Sequence, residues 1–435
     1  MIKKITLIVL TSILILSSRA YSQPEVSYII PDIGAPSMNV YVEFISPHSL
    51  KDNFGQDGFY LNNTGDAVRV IPQNSSDESK VKIGPVVVSW EGRLISTQIF
   101  VNPTLEPDSY DALILSQGFR IPLVVVVNGV SSQAQMFYIV KPRPYFDGVV
   151  QTDTTFGEGG LGRRSPRGAM IFDSIKLGNK IYTVSTNDCD PNTDGNQGYL
   201  PFVLLSKGKV EGAGAESSII SVSSTNSNGG PGGGGGGGRF FDGTGSIGDN
   251  GGDGFVGGGA GGRNNAGIPF VTNEFRNHGS GSGLNGISLN GVPYPKNEAY
   301  ESAGGGTGHP FGSSGTSCNN GNNCSTDGEF GGGSGVNQVR QGGSGGYGTD
   351  GDGFGNSGGK SHGNIMNIPI AGGSGGASGN PQGLGVYSGS GGGGGGAISL
   401  FASEISGIKI NAHGADGYNF SGTHVNTERS PEPFG

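Results

Sequence analysis

The chain predicts an all-β protein, a β-sandwich followed by a glycine-rich, loop-rich second half. Three observations carry that expectation. Its first half is a series of short runs rich in β-branched and aromatic residues, separated by Gly, Pro, Asn and Asp. Of its 88 glycines, 68 fall from Asn228 onward, so composition changes sharply in mid-chain. Beyond the glycines, strand-like alternation resumes in "GGGGGGAISLFASEISGIKINAHGADG". A length of 435 residues suits two or three domains. With a net charge of -9 and 14% charged residues, no basic surface recommends nucleic acid as a partner.

The opening "MIKKITLIVLTSILILSSRAYSQ" has the layout of a secretory signal over residues 1–22. Lys3 and Lys4 form its basic start, Ile5 to Leu16 its apolar core, and Ala20, Tyr21 and Ser22 a small-x-small cleavage site. That core is too short for a membrane-spanning helix, and no later apolar run is long enough to span a bilayer. No Cys closely follows it, which argues against a bacterial lipoprotein. The mature chain is expected to start near Gln23, secreted or held at a bacterial cell surface.

Residues 23–142 read as the sandwich. "MNVYVEFI", "GFYL", "DAVRVIP", "KVKIGPVVVSW", "RLISTQIFV", "IPLVVVVNG" and "QAQMFYIV" are its expected strands, with Trp90 a core or rim residue. Their order resembles the immunoglobulin-like IPT/TIG domain in "IIPDIGAP", "VVVSWEGRLISTQIFVNP" and "IPLVVVVNGVSSQAQMFYIVKP". The resemblance implies an Ig-like module of the kind that spaces or presents other domains in bacterial surface proteins. "KPRP" at 141–144 then stiffens the chain and marks an expected boundary.

Residues 143–227 carry further strand-like runs, "GAMIFDSIKLGNKIYTVST", "YLPFVLLSKGKVEGAG" and "SSIISVSS", spaced as solenoid turns are. Residues 397–435 supply a matching piece. Ile398 and Leu400 share one face of a strand, and Ile408, Ile410 and Ala412 share one face of the next. Ser399, Lys409, Asn411 and His413 point the other way. These segments resemble rungs of the right-handed parallel β-helix of secreted bacterial proteins.

The glycine-rich region spans 228–396. Collagen is excluded, because no Gly-X-Y period is sustained and proline is scarce. A flexible linker is the simplest alternative for such a composition. Aromatics such as Phe240, Phe255, Phe311, Tyr347 and Tyr387, together with "NIMNIPIAGG", argue instead for packing. Two ordered forms remain open: a β-helix with wide glycine loops, or a bundle of polyproline-II-like strands. The period-three glycines at Gly245, Gly248, Gly251, Gly254 and Gly257 suit the second, although chance explains one such run.

Candidate chemistry is sparse. Asp190, Asn192 and Asp194, with Asp188 beside them, match the opening of an EF-hand calcium loop, where alternate oxygens wrap the ion. Pro201 stands where that loop needs Glu, so an acidic turn is the competing explanation. Apart from this structural calcium, no cofactor is expected. "GGYGTDGDG" is similar to a single RTX nonapeptide, without the tandem copies such sites require. Cys318 and Cys324 either close a small disulfide loop or remain thiols with Cys189. The six histidines lack metal-ligand spacing, and no nucleophile elbow or phosphate loop is present. Arg163, Arg164 and Arg167 form a basic turn, either solvated or facing a polyanion.

The whole resembles glycine-rich secreted surface proteins of the Bacteroidota. It implies a non-catalytic structural or adhesive protein whose partner is a cell-envelope or extracellular glycan or protein. The alternative is a β-helix enzyme acting on polysaccharide. "HVNTERSPEPFG" shows no closing strand, cap or sorting domain, which raises the expectation of an incomplete chain.

Overall fold

The structure is a computed structural model that describes residues 24, 26, 28–45, 68–89, 94–127, 129–185, 201–214, 217–224, 229–233, 317–318, 335–336, 370, 372–373 and 392–415. The described residues are mostly β-strand. Their only helical pieces are short 3-10 turns, at Ser75–Asp77, Ala112–Ile114 and Gln117–Phe119.

The first ten strands form two facing sheets. Their ranges are β1 Tyr28–Ile30, β2 Ile33–Gly34, β3 Asn39–Ile45, β4 Val68–Pro72 and β5 Val81–Ile83. They continue with β6 Val87–Ser89, β7 Leu94–Val101, β8 Arg120–Val127, β9 Val130–Ser131 and β10 Gln135–Ile139. One sheet has the order β1-β3-β7-β5, with β6 also on β7; the other has β2-β10-β8-β4, with β9 on β8. All pairs are antiparallel except β2 on β10. The chain therefore crosses from one sheet to the other between β1 and β2, through Pro31 and Asp32. Alternation decides the core: Val40, Val42 and Phe44 meet Ile95, Ile99 and Val101 from the neighbouring strand, while Asn39, Gln98 and Phe100 face solvent. The run "KVKIGPVVVSW" forms two strands rather than one, because Pro85 has no N–H to donate to the ladder. "GFYL" and Trp90 lie outside the described residues.

The remaining strands coil. They begin with β11 Phe146–Asp147, β12 Thr155–Phe156, β13 Ala169–Phe172, β14 Ile175–Leu177 and β15 Ile181–Val184. After these come β16 Phe202–Ser206, β17 Lys209–Gly212 and β18 Ile219–Ser221. A two-residue parallel pair follows, β19 Ser317–Cys318 with β20 Gly335–Val336. The last strands are β21 Ile398–Phe401, β22 Glu404–Ser406 and β23 Lys409–Asn411. Three parallel ladders result, β11-β14-β17-β22, β12-β15-β18-β23 and β13-β16-β21. The chain visits the ladders in strict rotation, so each circuit stacks on the one before. Phe146 pairs with Ile175, a step of 29 residues (175 − 146), and Ile175 with Val210, a step of 35 (210 − 175). Val210 pairs with Ile405, a step of 195 (405 − 210), so most of the glycine-rich region is inserted within one circuit. The expected two-strand pattern after the glycines is three strands, because Gly407 turns the chain at φ +65° between β22 and β23.

Inside the coil, Phe146, Phe156, Phe172, Tyr182 and Phe202 stack, with Phe156 and Phe202 centroids 5.0 Å apart. Ile398, Leu400 and Ile408 pack against the same cluster. The ladder β13-β16-β21 is covered on both faces. Met170, Phe172, Phe202 and Leu204 point into the coil, whereas Ala169, Ile171, Val203 and Leu205 join the sandwich core. Double burial explains the unbroken apolar runs "AMIF" and "FVLLS". Apolar packing thus passes across residues 141–144, where Arg143 also bridges to Phe172.

Candidate functional site

The three longest connections of the coil leave the same corner, between the β12-β15-β18-β23 ladder and the β13-β16-β21 ladder. They are the segments 157–168, 185–201 and 222–397. The other corners are crossed in a few residues, as between Phe172 and Ile175 or Leu177 and Ile181. Ladder pairing cannot tolerate insertions within strands, so long segments collect where the chain turns.

The first connection is a joint rather than a free basic turn. Residues 157–162 fold back on β12: the Leu161 amide donates to the Thr155 carbonyl (2.8 Å), and Gly157 bridges Gly162 antiparallel. Arg164 is buried and donates to the Ser185 carbonyl (2.8 Å), and Arg163 lies 3.7 Å from Glu158. The Ser165 hydroxyl and the Arg167 amide (3.1 Å) both donate to Asp32, which is 1% exposed. Burial, opposed by those donors and by the Arg167 charge, pushes the Asp32 carboxyl up to about 7. Arg167 thus serves the sandwich–coil junction, while Arg163 and Arg164 tie the connection to the coil itself.

The third connection begins and ends in a glycine seam. Residues 229–233 are buried, as are most of 392–397. Three consecutive carbonyls of the second segment accept from three different partners: Gly393 from the Ala415 amide (2.9 Å), Gly394 from Gly230 (2.9 Å) and Gly395 from Gly373 (2.8 Å). On the remaining side the Gly396 amide donates to Val222 (2.8 Å) and the Ala397 amide to Pro231 (2.6 Å). Such contact leaves no room for side chains. A Cβ on Gly395 would stand 2.0 Å from the Ala412 carbonyl oxygen, and one on Gly230 would stand 2.1 Å from that of Val222. Backbone, not a movable side chain, occupies each place. The six glycines before β21 are thus part of a folded wall from Gly392 onward.

One segment of the region also reaches the sandwich. The Ile370 amide donates to Glu43 Oε2 (3.1 Å), and both residues are buried. Glu43 lies on the outer face of β3, beside Ile30 of β1 and opposite Ser96 of β7. Burial pushes its carboxyl up to about 7, against the lowering effect of the Ile370 amide and Tyr41.

Asp188, Asp190, Asn192 and Asp194, in the second connection, and Cys324, in the third, lie outside the described residues. Cys318 is described only as backbone, in β19. Among the described residues no cluster of three or more His, Cys, Asp or Glu is placed to hold a metal, and no helix is long and apolar enough to cross a membrane. Sequence reasoning missed Asp32 and Glu43. The available signal was a lone carboxylate in an otherwise apolar run, in "IIPDIG" and "NVYVEFI". No protein-family model matches the chain, and no curated protein matches it.

Proposed function

We propose that the protein is a non-catalytic, secreted or cell-surface structural or adhesive protein that presents its long connections from one corner of a rigid coil. The observation that carries this reading is that the 185–201 and 222–397 connections both leave that corner, beside the 157–168 joint. Binding elements are commonly loops held by a rigid scaffold. The sheet orders β1-β3-β7-β5 and β2-β10-β8-β4, with β2 crossing between sheets, support an immunoglobulin-like module of IPT/TIG type. The rotation among three parallel ladders supports a β-helix. Three successive carbonyls aimed at three neighbours suit a threefold, polyproline-II-like strand better than a β-strand, which alternates between two directions. The signal-like residues 1–22 support export through a cleavable signal.

Purified protein applied to arrays of polysaccharides and extracellular proteins tests the proposal. Retention of a glycan or protein without turnover is the expected result. Depolymerisation of a polysaccharide, abolished by Asp190→Asn or Asp194→Asn, would replace it with the enzyme reading.

A further inference from the structure

The outer face of the β1-β3-β7 sheet changes character along its length. At one end Asn39, Gln98 and Phe100 are exposed; four residues further along β3, past half-buried Tyr41, Glu43 is 0% exposed and Ser96 7%. A carboxyl on an outward position is normally solvated, so burial here comes from what lies on top. Ile370 is 2% exposed and meets Glu43 through its backbone amide. Two residues on, a Cβ at Gly372 would stand 2.4 Å from the Gly232 carbonyl oxygen, and three residues on the Gly373 amide bonds to Gly395. The segment therefore touches both the sandwich and the glycine seam. Glu43 Oε1 has no hydrogen-bond partner among the described residues. A fully buried carboxyl whose donors, the Ile370 amide and Tyr41, leave Oε1 unpartnered is poorly suited to carry charge.

From this geometry we infer that Glu43 is a pH-operated clasp, which holds the Ile370 segment on the sandwich when neutral and lets it go when ionised. Among the described residues packed around Glu43, no other side chain is charged. Tyr41 is its titratable neighbour on β3; β7 and β6 carry no charged residue, β1 places Ile30 beside it, and Ile370, Gly372 and Gly373 carry no charge. Clasped, the carboxyl is raised from 4.5 to about 7; released into water, it returns to its ordinary value. The clasped form thus binds the proton more tightly. Clasping is complete below about pH 4.5, weakens about tenfold per pH unit up to about 7, and changes little above that.

Hydrogen–deuterium exchange of the full chain, read at residue level by fragmentation mass spectrometry, tests the clasp. Protection factors, corrected for intrinsic rates, are compared at pH 5 and pH 7.5 for Ile370 and for the coil amide Val203. The expected result is a loss of Ile370 protection on the order of tens of fold, with Val203 unchanged. In Glu43→Gln, whose Oε1 still accepts the amide but never ionises, Ile370 protection is expected to be flat with pH. A flat wild-type response overturns the clasp, as does parallel loss at Val203, which marks loosening of the whole fold. Persistence of the wild-type response in Glu43→Gln assigns it to another group and also overturns it. If Glu43→Gln does not fold, the wild-type contrast between Ile370 and Val203 decides alone.

Discussion

The coil has two walls built on opposite rules. Its interior is filled by the largest side chains, Phe146, Phe156, Phe172, Tyr182 and Phe202, whereas the glycine seam stacked on the same circuits is filled mainly by backbone. Both exclude water, and both align β16 with β21 across the inserted region. The interior gains from apolar area removed from water. The seam gains from hydrogen bonds made by backbones close enough to meet laterally, and it works only while side chains are absent. Loss of a side chain damages the first wall, and addition of one damages the second.

The largest expected effect is in the interior. Phe202→Ala removes a fully buried ring 5.0 Å from Phe156 and should lower stability by about 3–5 kcal/mol, measured by denaturant unfolding. In the seam, Gly395→Ala should cost about 1–3 kcal/mol, because the Ala412 carbonyl blocks the new methyl group. Gly118→Ala, with nothing within 4 Å of its added Cβ, is the control and should change stability by less than ~0.5 kcal/mol. If the two glycine variants behave alike, the seam is not packed as described.

The third effect concerns the joint that carries both walls. Asp32 has its carboxyl raised by burial from 3.8 to about 7, so the folded state holds its proton more tightly than the unfolded chain. Its contribution is therefore full below about pH 3.8 and is lost as pH rises to about 7, at up to about 1.4 kcal/mol per pH unit. Asp32→Asn should flatten that part of the stability–pH profile, measured by thermal unfolding between pH 4 and pH 7.5; an unchanged slope would assign it elsewhere. The smallest effect is on the outer surface. Lys209 lies 2.6 Å from Glu404 but both are exposed, so Lys209→Ala should leave the melting temperature unresolved from that of the parent.

How much of this was legible in the sequence follows the same division. Strands with one wet face announced themselves by alternation, as in "VRVIP", where Val68 and Val70 point inward and Arg69 and Ile71 are exposed. Strands with two dry faces announced themselves by continuous apolar runs, as in "FVLLS". The pairing of Val210 with Ile405 was not legible, because alternation says which face a residue takes and nothing about which distant strand lies beside it. The seam was hidden for a related reason. Glycine that packs against backbone and glycine that permits a flexible linker have the same composition, and only the neighbours separate them. Those neighbours, Val222, Gly230, Gly373 and Ala415, come from four places in the chain. Asp32 and Glu43 were misleading in isolation, since their burial is imposed by Ser165 and Ile370, far away in sequence.

The central claim is that the circuit before the glycine-rich region and the circuit after it are adjacent and in register. It is tested most directly by a cross-link between Lys209→Cys and Glu404→Cys, which are register partners on an exposed face. The background carries Ser at Cys189, Cys318 and Cys324 to prevent exchange. Neighbouring parallel strands bring such positions within the Cα separation a disulfide accepts. Oxidation should give a monomer that migrates faster on non-reducing gels and is restored by reductant, while the pair Lys209→Cys with Asn411→Cys, which are not partners, should not cross-link. Equal cross-linking of both pairs, or of neither, would contradict the stacked circuits.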